Sequence, residues 1–407
     1  MILVGIACLT VECARPESSQ PSLAPAPALF DPPAIYLTWQ RDPTTTMTVQ
    51  WHGDGKVRDS RLEFQATGQP RWQSATHTTI QLPRSERVVH RAELTGLTPN
   101  TDYRFRFGEG PVVYKFRTMP ADTSRPIRFV VGADMKYPDE YSLLCREAAR
   151  RDAMFAVIGG DIAYTNGGKP EAWYEWLSLW KQNMVTADGR LIPVLPVIGN
   201  HEVKGEYGKT PEASPYFYRL FATPGTQGYQ VLDFGSYMSV ILLDSGHTHP
   251  VGGAQTDWLR DVLSKRTDMP HVFAAYHVPA YPSSRDEDED TTPEIRQHWV
   301  PLFEQHGLDV AFEGHDHTYK RTYVLKAGSK DSTGVLYLGD GAWGTNLRGR
   351  KKRWYLVPTP PNRQHVILVT VEGQGRSFQA IGMDGKPFDQ CRQGPVSDST
   401  IPPCEPP

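Results

Sequence analysis

The sequence predicts a mixed α+β fold in two parts: an N-terminal β-sandwich, then a sandwich of β-sheets flanked by helices and built from β-α-β units. Three observations carry this. Between residues 34 and 119, apolar and polar residues alternate with period two, as in TMTVQWH, RLEFQA and VVHRAEL, with turn residues between them. From residue 126 onward the pattern changes to solid apolar runs separated by stretches of helical spacing. Five of these runs end in residues that bind metal well: IRFVVGAD at Asp134, MFAVIGGD at Asp161, LIPVLPVIGNH at Asn200 and His201, HVFAAYH at His277, and LDVAFEGHDH at His315 and His317. Ligands of layered α/β proteins bind beyond the carboxyl ends of the strands, so the five ends are expected to converge on one site large enough for two metal ions.

A chain of 407 residues fits two domains, and 39% hydrophobic content supplies their cores. Gly and Pro, 35 of each, favour strands and loops over a helical bundle. A net charge of -3 carries no signal for nucleic acid or an anionic membrane. The five cysteines (Cys8, Cys13, Cys145, Cys391, Cys404) include no C-x-x-C pair, which argues against a zinc ribbon. Cys391 and Cys404 either close a small terminal loop or remain free thiols; an oxidising compartment favours the bridge.

Residues 1–33 form an apolar start, MILVGIACLTVEC, and a Ser/Pro/Ala linker. They resemble a bacterial lipoprotein leader with Cys8 as the acylated residue, although Gly5-Ile6-Ala7 matches the lipobox imperfectly. The expectation is an extracytoplasmic protein, whether secreted, periplasmic or lipid-anchored, touching a membrane only through that anchor; no later stretch is long enough to span a bilayer. Residues 34–119 resemble a fibronectin type III module, with Trp51 in its core and Tyr103 at its corner. His52, His77 and His90 are scattered there and read as surface or half-buried residues.

MPADTSRP links to a second domain over residues 126–373. Leu143, Leu144, Ala148 and Ala149 predict a first helix, and AWYEWLSLWK a second. TDWLRDVLSKR predicts a third, capped by Thr256, with Trp258, Leu259 and Leu263 in the core. TPEIRQHWVPLFEQHG predicts a fourth, with Pro293 in its first turn and Gly307 at its end. Residues 374–407 hold closing strands and a tail, disordered after Gln393 or held by Cys404 alone.

GDIAY (160–164), GNHE (199–202), His277 in AAYHVPAY and GHDH (314–317) together resemble the metallophosphoesterase signature in its purple acid phosphatase form. The resemblance covers about Pro33 to Gly373. It implies that Asp161 bridges two metals, that Asp134, Tyr164 and His317 complete one site, and that Asn200, His277 and His315 complete the other. It implies Fe(III) in the tyrosinate site, Fe(II), Zn or Mn in the second, and His201 facing the substrate as the catalytic residue. The chemistry is consistent: hard ions prefer N and O ligands, and Fe(III) prefers a phenolate. Many relatives place a His two residues after the first Asp; here Lys136 stands there, a poor ligand, and Tyr164 supplies what is missing.

The implied activity is hydrolysis of phosphomonoesters, small phosphorylated substrates, by a metal-bound hydroxide. The alternatives are a phosphodiesterase or nucleotidase on the same metals, or, from another class, an adhesion module fused to an inactive phosphatase domain. The loop YPSSRDEDEDTTPE lacks the two His of plant members and offers Arg285 as a substrate residue. Asp286 to Asp290 read as a solvated charged loop, or else as a proton donor or a repeller of anions. Trp343 in GDGAWG reads as a substrate wall, and the glycines as letting the backbone approach the site. RGRKKR (348–353) reads as a solvated patch which, near the rim, would favour polyanionic substrates.

Overall fold

The computed structural model describes residues 30–54, 61–108, 110–225 and 228–404. Cys8 and Cys13, and the leader built on them, lie outside the described residues.

Alternation in the N-terminal part becomes two antiparallel four-stranded sheets. One orders Ile35–Thr38, Met47–Gly53, Val88–Leu94 and Thr78–Gln81; the other orders Gln73–Ala75, Leu62–Ala66, Asp102–Phe107 and Tyr114–Arg117. Trp51 and Phe105 are fully buried between them. The Tyr103 hydroxyl accepts the Thr98 N–H at 2.9 Å, tying the corner. His52 and His90 are buried rather than surface residues. His52 lies at the seam with the second domain, its ring edge-on to Tyr36 and Tyr174, and burial drives its pKa down to about 3. The sandwich does not hang free. The Tyr36 hydroxyl donates to the Leu220 carbonyl at 2.8 Å, Ala222 N–H donates to Gln50 at 2.9 Å, and Trp39 packs edge-on to Phe155 and Phe234.

The second part is a sandwich of two six-stranded sheets. The first orders Val194–Pro196, Ala156–Ile158, Ile127–Gly132, His365–Glu372, Gly375–Gly382 and Pro387–Gln393; its first three strands are parallel and the rest antiparallel. The second orders Gln230–Phe234, Met238–Leu242, His271–Ala275, Val310–Glu313, Leu336–Gly339 and Lys320–Arg321, with the middle four parallel. Phe129, Phe273, Phe312 and Phe378 fill the space between the sheets, and the same core continues into the sandwich through Trp39 and Trp51. Helices Pro138–Arg150 and Pro170–Asn183 cover the outer face of the first sheet; Ala254–Ser264, Thr292–His298 and Val300–His306 cover that of the second. No helix among the described residues is long and apolar enough to cross a membrane.

Several local expectations need correction. Leu143 is exposed at 39%, because the buried stripe of its helix runs through Leu144, Cys145, Ala148 and Ala149. Thr256 does not cap its helix: the helix begins at Ala254 after Gly253, whose φ of 74° only glycine adopts readily, and the Thr256 hydroxyl donates to the Val251 carbonyl. The fourth helix is two helices meeting at Trp299, since Pro301 has no N–H for the bond that would continue the first. The domain boundary drawn at Gly373 falls in the hairpin turn between two strands of one sheet. From Gly394 to Cys404 the tail is held by more than its last cysteine: Cys391 and Cys404 form a disulfide, Ile401 is buried, and Arg392 N–H and Cys404 N–H bond across the loop.

Candidate metal centre

Every candidate ligand follows the carboxyl end of a parallel strand. Ile127–Gly132 delivers Asp134, Ala156–Ile158 delivers Asp161 and Tyr164, and Val194–Pro196 delivers Asn200 and His201. From the other sheet, His271–Ala275 delivers His277 and Val310–Glu313 delivers His315 and His317. The backbone there is bent to an unusual degree. Asp134, Asp161, Tyr164, His315 and His317 all have φ between 48° and 77°, a region that costs non-glycine residues energy and clusters at functional sites. Two buried clamps hold these turns. Glu202 accepts N–H bonds from Asp161, Ile162 and Gly199, all at 2.9 Å, joining the GDIAY and GNHE loops. Gly341 (φ 74°) lies so close to Asp134 that a Cβ there would sit 1.8 Å from its Oδ2, so the GDGAWG loop does bring the backbone against the site.

The side chains assemble into two sets sharing Asp161. Asp134, Asp161 and His317 bring one ligand atom each within 4.8 Å of one another, and so do Asp161, His277 and His315. The Tyr164 hydroxyl joins the first set, 3.2 Å from Asp134 Oδ1 and 3.4 Å from His317 Nε2. Asn200 Oδ1 joins the second, 3.0 Å from His277 Nε2.

The donor set fits a cation. His277 Nδ1 is 2.8 Å from the Gly159 carbonyl, His317 Nδ1 is 3.1 Å from the Asn346 carbonyl, and His315 Nε2 is 3.0 Å from Asp290 Oδ2. Each of these acceptors fixes a proton on the outer nitrogen and turns the other nitrogen's lone pair inward. His315 Nδ1 and His277 Nε2 then face each other at 3.1 Å, with Asp161 Oδ2 3.3 Å from the latter. Lone pairs and carboxylates at such distances are stable together only around positive charge. Without an ion, burial opposes charge on His277, yet Asp161 and Asp134 raise its pKa to about 9. Burial, with Asp134 and Asp161, holds the Tyr164 phenol well above its usual value.

His201 stands at the mouth, with its side chain 28% exposed. Its backbone N–H donates to Asp161 Oδ1 at 2.9 Å, its Nδ1 is 2.5 Å from Asn166 Oδ1, and its ring lies 4.4 Å from that of Tyr164. Arg285 sits beside the second set, 3.6 Å from Asp316 and 3.7 Å from Asp290. Trp343 forms no substrate wall: it is fully buried beneath Gly132, next to Trp180. The acidic run is partnered rather than merely solvated: Asp286 pairs with Lys351 and Glu287 with Arg296, while Asp290 accepts a hydrogen bond from the His315 ring. The sequence reading gave no role to Glu202, Asn166 or Tyr207, whose hydroxyl is 3.3 Å from His315 Nε2, and read Asp290 only as part of the charged loop. Only Glu202 carried a signal, as the last residue of GNHE.

Two family models match the chain: Purple acid Phosphatase, N-terminal domain, over residues 32–118, and Calcineurin-like phosphoesterase, over residues 128–319. An uncharacterized protein of Mycobacterium tuberculosis is 27% identical over 339 residues, covering 72% of this chain and 62% of its own, so the chain spans about six-tenths of that relative's length. Purple acid phosphatase 23 of Arabidopsis thaliana is 24% identical over 370 residues, 77% of this chain and 78% of that protein. In fold, a purple acid phosphatase from yellow lupin (Lupinus luteus) seeds superposes with a TM-score of 0.72 at 16% identity, covering 88% of this chain and 73% of its own. Matched in both its domains, the chain belongs to the calcineurin-like metallophosphoesterases, as a purple-acid-phosphatase-like member.

Proposed function

We propose that the protein hydrolyses phosphomonoesters at a dinuclear metal centre. The observation that carries this reading is the pair of ligand sets sharing Asp161, with their lone pairs turned inward. Asp134, Asp161, Tyr164 and His317 would hold one ion, and Asp161, Asn200, His277 and His315 the other. Fe(III) suits the first set because of its phenol; the neutral Asn200 suits a divalent Fe, Zn or Mn in the second. When bound, the pair activates water and neutralises phosphoryl oxygens.

The chain's own groups do the rest. His201, oriented by Asn166, faces the mouth, where it binds a phosphoryl oxygen or gives a proton to the leaving oxygen. No side chain need act as a nucleophile: Cys145, the free thiol among the described residues, is buried, and burial pushes its pKa up. The Cys391–Cys404 disulfide supports the extracytoplasmic reading, since such bonds persist in oxidising compartments.

The test is metal content and turnover measured together. Wild type is expected to hold two metals per chain and to cleave a chromogenic monoester faster than a bis-ester. Asn200→Ala is expected to lose one metal and Asp161→Ala both. A faster bis-ester reaction would favour the phosphodiesterase alternative; a full metal set with neither activity would favour the inactive-domain alternative.

A further inference from the structure

The rim of the candidate site is electrically uneven. Beside His277 and His315 the charges are matched: Arg285 stands among Asp316, Asp290 and Glu289, Lys351 pairs with Asp286, and Arg296 with Glu287. Beside Asp134, Tyr164 and His317, two cations have no carboxylate partner among the described residues. Lys136 is exposed, and its Nζ stands 5.7 Å from the centre of the Tyr164 ring, the ring that packs on His201 at the mouth. Arg348 is half-buried and tied to the site through its backbone, its N–H donating to the His317 carbonyl at 3.0 Å. The Asn346 carbonyl faces His317 Nδ1 at 3.1 Å, so residues 346–348 are bonded to that histidine at both ends. The stretch then follows the rim, with Ser284 Oγ donating to the Gly349 carbonyl and Lys351 N–H to the Ser283 carbonyl.

In the phosphomonoesterase reading a single reacting phosphoryl group would already be matched by two metals and His201. Lys136 and Arg348, carried on segments beside that site and without a carboxylate partner among the described residues, are surplus to it. Building on the phosphomonoesterase reading, we propose that the preferred substrate carries a second phosphoryl group on its leaving portion, received by Lys136 and Arg348. The guanidinium offers a fork to two phosphate oxygens, and the ammonium a mobile point charge. The bond changes are those of any monoester hydrolysis. Water oxygen bonds to the reacting phosphorus, the P–O bond to the leaving group breaks, and the leaving oxygen takes a proton. The second phosphoryl group departs intact on the alcohol.

The test compares fructose 1,6-bisphosphate with fructose 6-phosphate at low salt, with p-nitrophenyl phosphate as a report on monoester hydrolysis itself. Wild type is expected to favour the bisphosphate in kcat/KM by about tenfold or more, the scale of one or two charge-assisted contacts. In the Lys136→Ala/Arg348→Ala double variant that ratio falls to about one to two, with metals per chain unchanged. Lys352→Ala, a change to an exposed lysine of the same stretch, keeps the ratio. The proposal is overturned if wild type cleaves p-nitrophenyl phosphate without preferring the bisphosphate, if the double variant keeps the preference, or if Lys352→Ala loses it equally. Absence of turnover on every monoester would instead refute the underlying reading, and this proposal with it.

Discussion

Asp290→Asn isolates the contribution of one carboxylate to one of two adjacent metal sites. Asp290 Oδ2 lies 3.0 Å from His315 Nε2, which leaves the His315 Nδ1 lone pair facing His277. Outer carboxylates on ligating histidines are typically worth roughly 10–100-fold in metal affinity or activity, about 1.4–2.8 kcal/mol. Here the lower end applies. The Asp290 side chain is 22% exposed, Arg285 shares its charge at 3.7 Å, and the Tyr207 hydroxyl at 3.3 Å remains as a second acceptor for the same nitrogen. Asp290 also sits at φ 51°, a conformation that Asn tolerates as well as Asp, so the substitution removes charge without straining the backbone. The expected result is roughly tenfold weaker retention of the second metal. The assay is metals per chain after dialysis against graded chelator, with the metal held by Asp134, Tyr164 and His317 as internal reference. Retention matching wild type, or equal weakening of both metals, would refute the orienting role.

Other expected outcomes follow from the same geometry. The oxidised, iron-loaded protein is expected to be violet or pink, and Tyr164→Phe to bleach it while keeping the fold; iron without colour in wild type would remove the phenol from the ligand set. His201→Ala should keep its metals while kcat falls by roughly 10²–10⁴-fold, the usual worth of a general acid; unchanged kcat on a poor leaving group would contradict its role. His52 supplies a pH dependence outside the metal site. Its folded pKa, about 3, lies below the unfolded value near 6.5, so the unfolded state binds the proton first and stability falls as pH drops from 6.5 toward 3. By pH 4.5 the cost is on the order of 2–3 kcal/mol. His52→Leu should therefore flatten the Tm profile between pH 7 and 4.5, and a parallel profile would show that the acid sensitivity lies elsewhere.

The convergence of five strand ends was legible because burial on both faces writes a parallel strand as an unbroken apolar run, and the residue after it must emerge at the sheet edge. Asp134, Asp161, Asn200, His277, His315 and His317 could be read in this way before any geometry was known. Tyr164 could not; it follows no strand directly, and only the spacing of GDIAY marked it. What the sequence concealed was long-range pairing. Asp286, Glu287 and Asp290 look like a solvated acidic run because their partners Lys351, Arg296 and His315 come from other segments. Trp343 looks like a pocket wall because nothing local reveals that the bare backbone of Gly132 makes room for its ring: a Cβ there would stand 2.6 Å from Trp343 Cε3.

The misread helices and the turns of the candidate site both depend on backbone conformation. Pro301 and Gly253 change a helix through the backbone alone, and each is visible as a residue type once its effect is weighed. The left-handed turns at Asp134, Asp161, Tyr164, His315 and His317 have a weaker marker, since Asp and His visit that region more often than most residues without requiring it, and Tyr has no preference for it. They persist because Glu202 gathers three N–H groups from two loops and because Gly341 closes against Asp134. The strain is thus held by groups other than the candidate ligands themselves, which separates two kinds of failure. Loss of a ligand such as Asn200 should empty one metal site within an intact fold. Loss of the Glu202 clamp should instead release the Asp161 and Asn200 turns together, so Glu202→Gln, which trades one acceptor oxygen for a donor, is expected to weaken both metals in parallel and to lower the melting temperature.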